Sequence, residues 1–388
     1  MDLATLLEGP ANVTHRGQTF HFKGGLTVTP LADLFTIDSD VYGPLGQRAL
    51  ENSVVISGTP VGVWTDAQLA VLFRWNDPII GSLVTPRYDV SAIDTSTDIV
   101  TLIGSLVPRD GAPIRMSAFP GATLPAAITG TTTYFWGNSG KVYDTEAHAI
   151  TDDGTGKIDF ADDGTGDLAI IEQEYIQVDA LSANRRITFW NGAITGMPPV
   201  VHSTVATLLG QVTFGCFRKN NAAWSDADSL YTVAKVALSD SAPDPDDIPT
   251  QEYALSFGAS PWDDFKARGA VTVTPALATD PVATDADGNL GLKISGLTVG
   301  ATFAPAGFSE AQMLDLLGLQ GGTVRRGGDR VRDDLIVTGT GVYTAVYNGA
   351  PRQLPQTFST TGPRAGELEV VGAAATGSPR FFVGTAAP

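Results

Sequence analysis

The chain has 388 residues, of which 43% are hydrophobic and only 17% charged, and its formal net charge is −18. This length allows two or three domains with buried cores, while the acidic balance argues against a broad nucleic-acid-binding surface, which needs clustered Lys and Arg. Cys216 is the single cysteine, so an intrachain disulfide is excluded, and its place in an apolar run favours packing in a core.

The composition predicts a mainly β chain. There are 43 Gly and 24 Pro residues, and Thr, Val and Gly recur in short runs that are typical of many strands joined by tight turns. The first four residues lack the basic region of a signal peptide, and no apolar run approaches the ~18 residues that a membrane span needs. We therefore expect no membrane partner.

In chain order, an arm of residues 1–22 leads to a strand at 26–30, and residues 53–57 predict a second strand. Thr65 is predicted to cap a helix over about residues 66–73, because its hydroxyl can accept from an early backbone N–H. Leu69, Leu72 and Phe73 follow the spacing i, i+3, i+4, which predicts one apolar stripe lying on a sheet.

Short segments return in the second half in the same order. Residues 65–69 (Thr-Asp-Ala-Gln-Leu) return 244 residues later as 309–313, with Ser309 as cap, and residues 26–30 return 245 residues later as 271–275. Ile-Ser-Gly at 56–58 and 294–296, with Val-Gly at 61–62 and 299–300, gives an offset of 238. Asn-Gly-Ala at 191–193 and 348–350 gives 157, and residues 210–212 return as 366–368 with an offset of 156. The shared order indicates one β-rich unit written twice.

The fall in offset locates an insertion in the first copy. It drops from 244 to 157, so 87 extra residues (244 − 157) lie between the helix at Thr65 and the strand before Asn191. Strand-like runs separated by Gly, Pro or Asn fill this segment, which predicts a small all-β module on the outer surface. The Pro- and Asp-rich residues 241–249 are the predicted linker.

The predicted fold is therefore mainly β, with two tandem β-sandwich domains, each with one short helix, and a small all-β insertion in the first. The predicted bounds are 1–94 with 171–250 for the first domain, 95–170 for the insertion and 251–388 for the second domain.

The sequence offers little catalytic or metal-binding chemistry. Its four histidines, His15, His21, His148 and His202, show no metal-ligand spacing, and neither a phosphate-binding loop nor a nucleophile elbow is present. We therefore predict that the chain is not an enzyme and that it has no catalytic, cofactor-binding or metal-binding residues.

Three polar stretches leave alternatives open. The two Asp-Asp-Gly-Thr-Gly runs at 152–156 and 162–166 are consistent with weak calcium binding through clustered carboxylates or with plain hairpin turns in which Asp-Gly supplies positive φ. Residues 285–296 begin like a calcium loop but lack Gly at the sixth position and Glu at the twelfth, so there the calcium-loop interpretation fails. The Arg-rich residues 325–330 are either a solvated loop or a contact with an acidic neighbouring subunit.

The chain resembles the major tail tube proteins of long-tailed, non-contractile bacteriophages, in the version whose tube domain is duplicated within one chain. The resemblance is carried by the Leu/Val-Thr-Val-Thr-Pro run that opens each half, by the strand pattern with one short helix, and by residues 210–233. The inserted segment separately resembles small modules of virion structural proteins, through residues 98–102, 124–125 and 131–135 and its Asp-Gly-Thr-Gly end.

The resemblance implies tail-tube-like domains arranged six to a ring, so that three duplicated chains form each ring and stacked rings form a tube that passes DNA. It implies no cofactor. The expected partners are other copies of the chain, other tail proteins at the tube ends, and the tape measure protein and genomic DNA in the lumen. The expected location is the virion, after synthesis in the cytoplasm of the host bacterium, and the lumen is expected to be acidic or neutral. The alternative is a virion or secreted adhesin that binds glycan on a host surface. Exposed Trp and Tyr in shallow grooves would support it, and since Trp136 and Tyr134 lie in the insertion, it could hold for that module alone.

Overall fold

The computed structural model describes residues 11–39, 43–76, 87–103, 107–108, 110–118, 121–130, 132–172, 175–181, 184–189, 192–203, 206–217, 231–236, 238, 253–257, 266–284, 288–306, 333–339, 341–353, 356–359, 362–365, 367–373 and 379–388. The mainly β fold predicted from the sequence is confirmed. The predicted second helix at 309–318, the linker at 241–249 and the Arg-rich loop at 325–330 lie outside these residues, as do Asp285 and Asp287. Among the described residues, no helix has the length and apolar character needed to cross a bilayer.

The first unit is split by the insertion. Its N-terminal part contains three strands, one α-helix and a 3-10 turn: β1 (Ala11–His15), β2 (Gln18–Ser39), β3 (Gly43–Val61), α1 (Asp66–Leu72) and Arg74–Asn76. The inserted module contains six strands and a short helix: β4 (Arg87–Asp94), β5 (Ile99–Leu102), β6 (Pro113–Ala118), β7 (Tyr134–Trp136), β8 (Val142–Tyr143), α2 (Glu146–Thr151) and β9 (Leu168–Glu172). The remainder of the first unit contains β10 (Ile176–Ala180), β11 (Arg185–Phe189), β12 (Gly192–Gly196), β13 (Val200–His202), β14 (Thr207–Leu209), β15 (Val212–Cys216) and β16 (Tyr231–Lys235).

The second unit contains nine strands: β17 (Ala254–Phe257), β18 (Lys266–Thr284), β19 (Gly288–Ala306), β20 (Asp333–Gly339), β21 (Val342–Gln353), β22 (Gln356–Ser359), β23 (Gly362–Ala365), β24 (Leu368–Gly372) and β25 (Phe381–Gly384). Each unit is dominated by one long antiparallel hairpin, β2–β3 in the first and β18–β19 in the second.

The strand pairings of the two units repeat. The first sheet runs β12-β15-β3-β2-β1-β10-β11-β16, and the second runs β14-β13-β18-β19-β24-β21-β20-β17 with β25 beside β21. Five strands of the second sheet have the same pairing partners as five strands of the first: β18 corresponds to β2, β19 to β3, β20 to β10, β24 to β15 and β25 to β16. The long strand β21 corresponds to both β11 and β12. The two units therefore share one pairing scheme.

The registers identify equivalent residues. Thr27 pairs with Ser57 in the first hairpin and Thr272 with Thr302 in the second, so both strands of the hairpin repeat with an offset of 245. Each hairpin has a bulge at the same point, where Gly24 (φ 79°) and its equivalent Gly269 (φ 85°) adopt the left-handed conformation that glycine allows.

The same registers correct one sequence match. Since Ile56 pairs with Val28, and Val273 pairs with Ala301, the equivalent of Ile56 is Ala301 and not Ile294. The Ile-Ser-Gly match, with its offset of 238, was therefore wrong by seven residues. It joined segments at different heights of the two hairpins, because alternating apolar and small residues recur along any strand.

The inserted module is a separate sheet with a separate core, in the strand order β5-β4-β9-β6-β7-β8. The incoming strand β4 pairs with the outgoing strand β9, with Arg87 opposite Ile171, so the module leaves and rejoins the first unit at adjacent points. The module's sheet thus spans residues 87–172, which is wider than the predicted 95–170, and it includes the short helix α2, so it is not all-β.

The predicted helix after β3 is present as α1. Thr65 Oγ1 accepts from the amide of Gln68 at 3.2 Å, and Gln68 Oε1 accepts from the amide of Thr65 at 3.1 Å, which forms a capping box. Leu69 and Leu72 are fully buried and Phe73 is 2% exposed, as the stripe predicted.

The two units are joined by an exchanged hairpin. Strands β13 and β14 lie between β12 and β15 in sequence, yet β13 pairs with β18 of the second unit, with Val200 opposite Val273. Buried side chains of both units form one continuous core, in which the Phe73 ring lies edge-on to that of Phe381 at 6.1 Å. The predicted boundary near residue 250 therefore does not separate the sheets, because residues 200–209 belong to the second one.

Candidate functional site

Each long hairpin has a face turned away from the core, and this face recurs in both units. One rung across the first sheet carries Thr27, Ser57 and Thr213, and the equivalent rung of the second sheet carries Thr272, Thr302 and Glu369. These positions alternate with core positions such as Ile56 and Val273, so their side chains lie on the opposite face of the sheet. Five of these six side chains bear a hydroxyl, and the sixth is the carboxylate of Glu369.

This face carries both paired charges and exposed cations, the latter being Lys23 and its equivalent Arg268. Glu369 accepts a hydrogen bond from Arg352 at 3.2 Å, and Asp280 stands directly opposite Lys293 across the hairpin β18–β19. A surface with many hydroxyls and few cations binds a polyanion weakly, because phosphate affinity comes mainly from cations that release counterions.

The four histidines lie apart and have structural partners. His15 Nδ1 donates to the carbonyl of Tyr175 at 3.1 Å, His21 lies 2.8 Å from Asn12 Oδ1, and His148 lies 2.6 Å from Asp144 Oδ1. The side chain of Cys216 is fully buried, and this burial raises the pKa of its thiol. The histidines therefore form no shared site, and the thiol is protonated at neutral pH and enclosed in the core.

The acidic runs of the module serve as turns. Asp152 is the left-handed cap of α2, with φ 49°, and its carboxylate accepts from Tyr143 Oη at 2.5 Å and from Ser139 Oγ at 2.8 Å. Burial, together with this carboxylate, raises the pKa of Tyr143 to about 12. Asp162 accepts from the backbone of Gly164 and Ala126. The run at 152–156 therefore begins at the end of a helix, whereas the sequence analysis offered a hairpin turn as the alternative to calcium binding. Within the described residues, no group of three His, Cys, Asp or Glu could hold a metal ion.

A second charged cluster is also structural. The carboxylate of Asp98 is 6% exposed and accepts from Lys157 Nζ and from the amide of Phe160. These hydrogen bonds, that of Lys157 above all, lower the pKa of Asp98. They hold the β4–β5 turn against the segment that precedes β9.

A groove of about 190 Å³ runs between β2 and α1. It is lined by the residues Phe20, His21, Val61, Gly62, Val63, Trp64 and Gln68. Since ligand sites usually measure roughly 300–1,000 Å³, this groove is small for an active site.

Contacts between the units are the features that sequence reasoning missed. Asp66, in the first turn of α1, accepts from the amide and the hydroxyl of Thr385, both at 2.7 Å. His202, on β13, is fully buried between Thr207 Oγ1 at 3.0 Å and Thr344 Oγ1 at 2.9 Å. Burial lowers the pKa of His202 to about 4, so the imidazole of the folded chain is neutral at pH 7. Nothing in the linear order signals that β13 leaves its own sheet.

No family model matches the chain, and no curated protein matches it.

Proposed function

We propose that the chain is a structural subunit that assembles, three chains to a ring, into stacked rings forming a virion tail tube through which DNA passes. The observation that carries the proposal is the repeat of one strand-pairing scheme in two units that are joined side by side. Two such units per chain, multiplied by three chains, give a ring of six similar units.

The contact between the units supports this arrangement. The first unit gives a hairpin to the edge of the second, and α1 of the first contacts the end of the second through Asp66 and Thr385. This contact is heterologous, since different surfaces of one repeated fold meet. A heterologous contact that repeats produces a ring when its rotation closes.

The face of the long hairpins is suited to line a channel. Many of its described side chains are small or bear a hydroxyl, its exposed cations Lys23 and Arg268 are few, and the whole chain has a net charge of −18. DNA that passes such a wall would make few counterion-releasing contacts and would not be retained.

The two aromatic residues that would support the adhesin alternative are buried. Trp136 is 2% exposed and Tyr134 is 7% exposed, so both rings belong to the core of the module and cannot stack on a sugar.

Electron microscopy of the purified protein tests the proposal, combined with mass measurement of single rings. We expect rings or tubes with three chains per ring and six similar densities around the axis. Six chains per ring, or dispersed monomers at every concentration and salt condition that keeps the protein folded, would contradict it.

A further inference from the structure

The hairpin exchange inside the chain has an unpaired equivalent. In the first unit the hairpin β13–β14 comes between β12 and β15 in the sequence, and its strand β13 pairs with β18. In the second unit the hairpin β22–β23 occupies the same place, between β21 and β24. Within the described residues, β22 and β23 pair only with each other.

The two hairpins are equivalent residue by residue. Val200 pairs with Leu209 in the first, and Gln356 pairs with Ala365 in the second. Both residues of the pair are shifted by 156 (356 − 200 and 365 − 209). The neighbouring strands β15 and β24 have the same offset, since Val212 and Leu368 pair with Gly58 and its equivalent Phe303.

The strand edge that would receive β22 is also present and uncovered. β13 pairs with residues 271–273 of β18, whose equivalents in β2 are residues 26–28. In the described residues, β1 pairs with this edge of β2 only at residues 18–21, and no strand pairs with it at 26–28.

Burial distinguishes the two edges. Val271, Val273 and Pro275 are buried beneath the exchanged hairpin and the first unit, with both valines at 0% exposure. Their equivalents Leu26 and Val28 are only half-buried and Pro30 is exposed, and the next residue along β2, Leu31, is 48% exposed. An apolar strand edge with free backbone groups is a template for pairing with another strand.

A second pair of surfaces shows the same difference. Val383 on β25 is 6% exposed, in the end of the second unit that contacts the first, whereas its equivalent on β16, Val233, is 38% exposed. Both of these surfaces are therefore covered on the second unit and more exposed on the first. The open surfaces match a second copy of the second unit.

We propose that the hairpin β22–β23 of one chain pairs with the β2 edge of the next chain, with Gln356 opposite Val28, Thr357 opposite Thr27 and Phe358 opposite Leu26. This register is the one that β13 makes with β18, where Val200 lies opposite Val273 and His202 opposite Val271. The contact is the joint between subunits that the proposed ring needs, and it rests on that proposed function.

A pair of cysteines tests the register. In the variant T27C/T357C the two cysteines would face each other across neighbouring antiparallel strands, where Cα atoms lie about 4.5–5.5 Å apart and a disulfide can form. The native Cys216 is fully buried and does not compete. We expect mild oxidation to give covalent dimers and closed trimers on a non-reducing gel, at least tenfold more than in either single variant.

Two matched controls accompany this variant. V201C/T272C places cysteines at the equivalent position inside the chain, where the residues pair directly, and should give a disulfide within the monomer. T29C/T357C shifts the register by two residues and should cross-link at least tenfold less than T27C/T357C.

The outcomes separate the contact from the proposed function. Rings without the T27C/T357C cross-link would overturn the contact and leave the tube intact. The cross-link in a preparation that forms open chains but no rings would support the contact and count against the tube. A monomer that never cross-links would overturn both.

Discussion

Two equivalent strand edges in this chain have different surroundings. The edge of β18 in the second unit is covered by the hairpin β13–β14, and Val273 there is fully buried. In the part of the chain that the structure describes, no strand pairs with the equivalent edge of β2 at residues 26–28, where Val28 is half-buried. Among the described residues, a strand of the same chain pairs with the first of these edges, and none pairs with the second at the equivalent residues.

The difference shows how a duplicated unit can prepare its own assembly. An exposed apolar edge is a liability in a protein that acts alone, because it invites pairing with other chains. In the proposed assembly, this open edge and the hairpin β22–β23 are instead the two halves of one contact, which meet when a second copy of the chain is present.

The largest expected effect comes from placing a charge at each edge. We expect Val273→Asp to lower the free energy of unfolding by about 3 kcal/mol or more, because it buries a carboxylate among apolar side chains. Val28→Asp should change the stability of the single chain by less than about 1 kcal/mol but prevent assembly. Urea denaturation of the dispersed chain measures the first effect and sedimentation velocity the second.

The isosteric variants Val273→Thr and Val28→Thr serve as the control for shape. If Val28→Asp assembled as well as the unmodified chain, the β2 edge would not be a subunit contact. If Val273→Asp were as stable as Val273→Thr, the covered edge would not be buried.

An acid-dependent effect should come next in size and concerns the covered edge alone. The pKa of His202 is about 4 in the folded chain and about 6.5 when unfolded, so only the unfolded chain binds a proton between these values. The stability that comes from neutral His202 is complete above pH 6.5 and is lost as the pH falls toward 4. We expect this loss to reach about 3 kcal/mol at pH 4.

The variant His202→Gln isolates this contribution, because its amide can bond both neighbouring hydroxyls and does not titrate. Denaturation at pH 7 and pH 4 should show a smaller loss in His202→Gln than in the unmodified chain. Equal losses in the two proteins would mean that the hairpin is not held through a neutral imidazole.

The smallest effect is expected for the inserted module, which distinguishes the first unit from the second in sequence but not in strand pairing. Deletion of residues 87–172, with a short Gly/Ser bridge, should leave assembly unchanged and shift the free energy of unfolding by less than about 1 kcal/mol, because the module has its own core. The deletion would remove the salt bridge of 3.2 Å between Arg16 of the first unit and Glu172 of the module. Electron microscopy and urea denaturation check the result, and a chain that no longer folds would place the module in the core of the first unit.

The repeat and much of its register can be predicted from the amino-acid sequence alone. The offsets of 245 at residues 26–30, 157 at residue 193 and 156 at residue 212 all agree with the strand registers. The change in offset also predicted the size of the insertion, 87 residues against the 86 from Arg87 to Glu172 (172 − 87 + 1). These features are local, since turns, caps and strand alternation are set by neighbouring residues.

Only the tertiary structure decided which strands meet. The false Ile-Ser-Gly match, the module boundary at Arg87 and the exchange of β13 into the second sheet all depend on pairing between distant residues. Alternating apolar residues make a strand compatible with any edge of similar pattern, so periodicity cannot choose its partner. In the sequence, His202 is only a histidine without metal-ligand spacing, and its contacts with Thr207 and Thr344 arise from the tertiary structure.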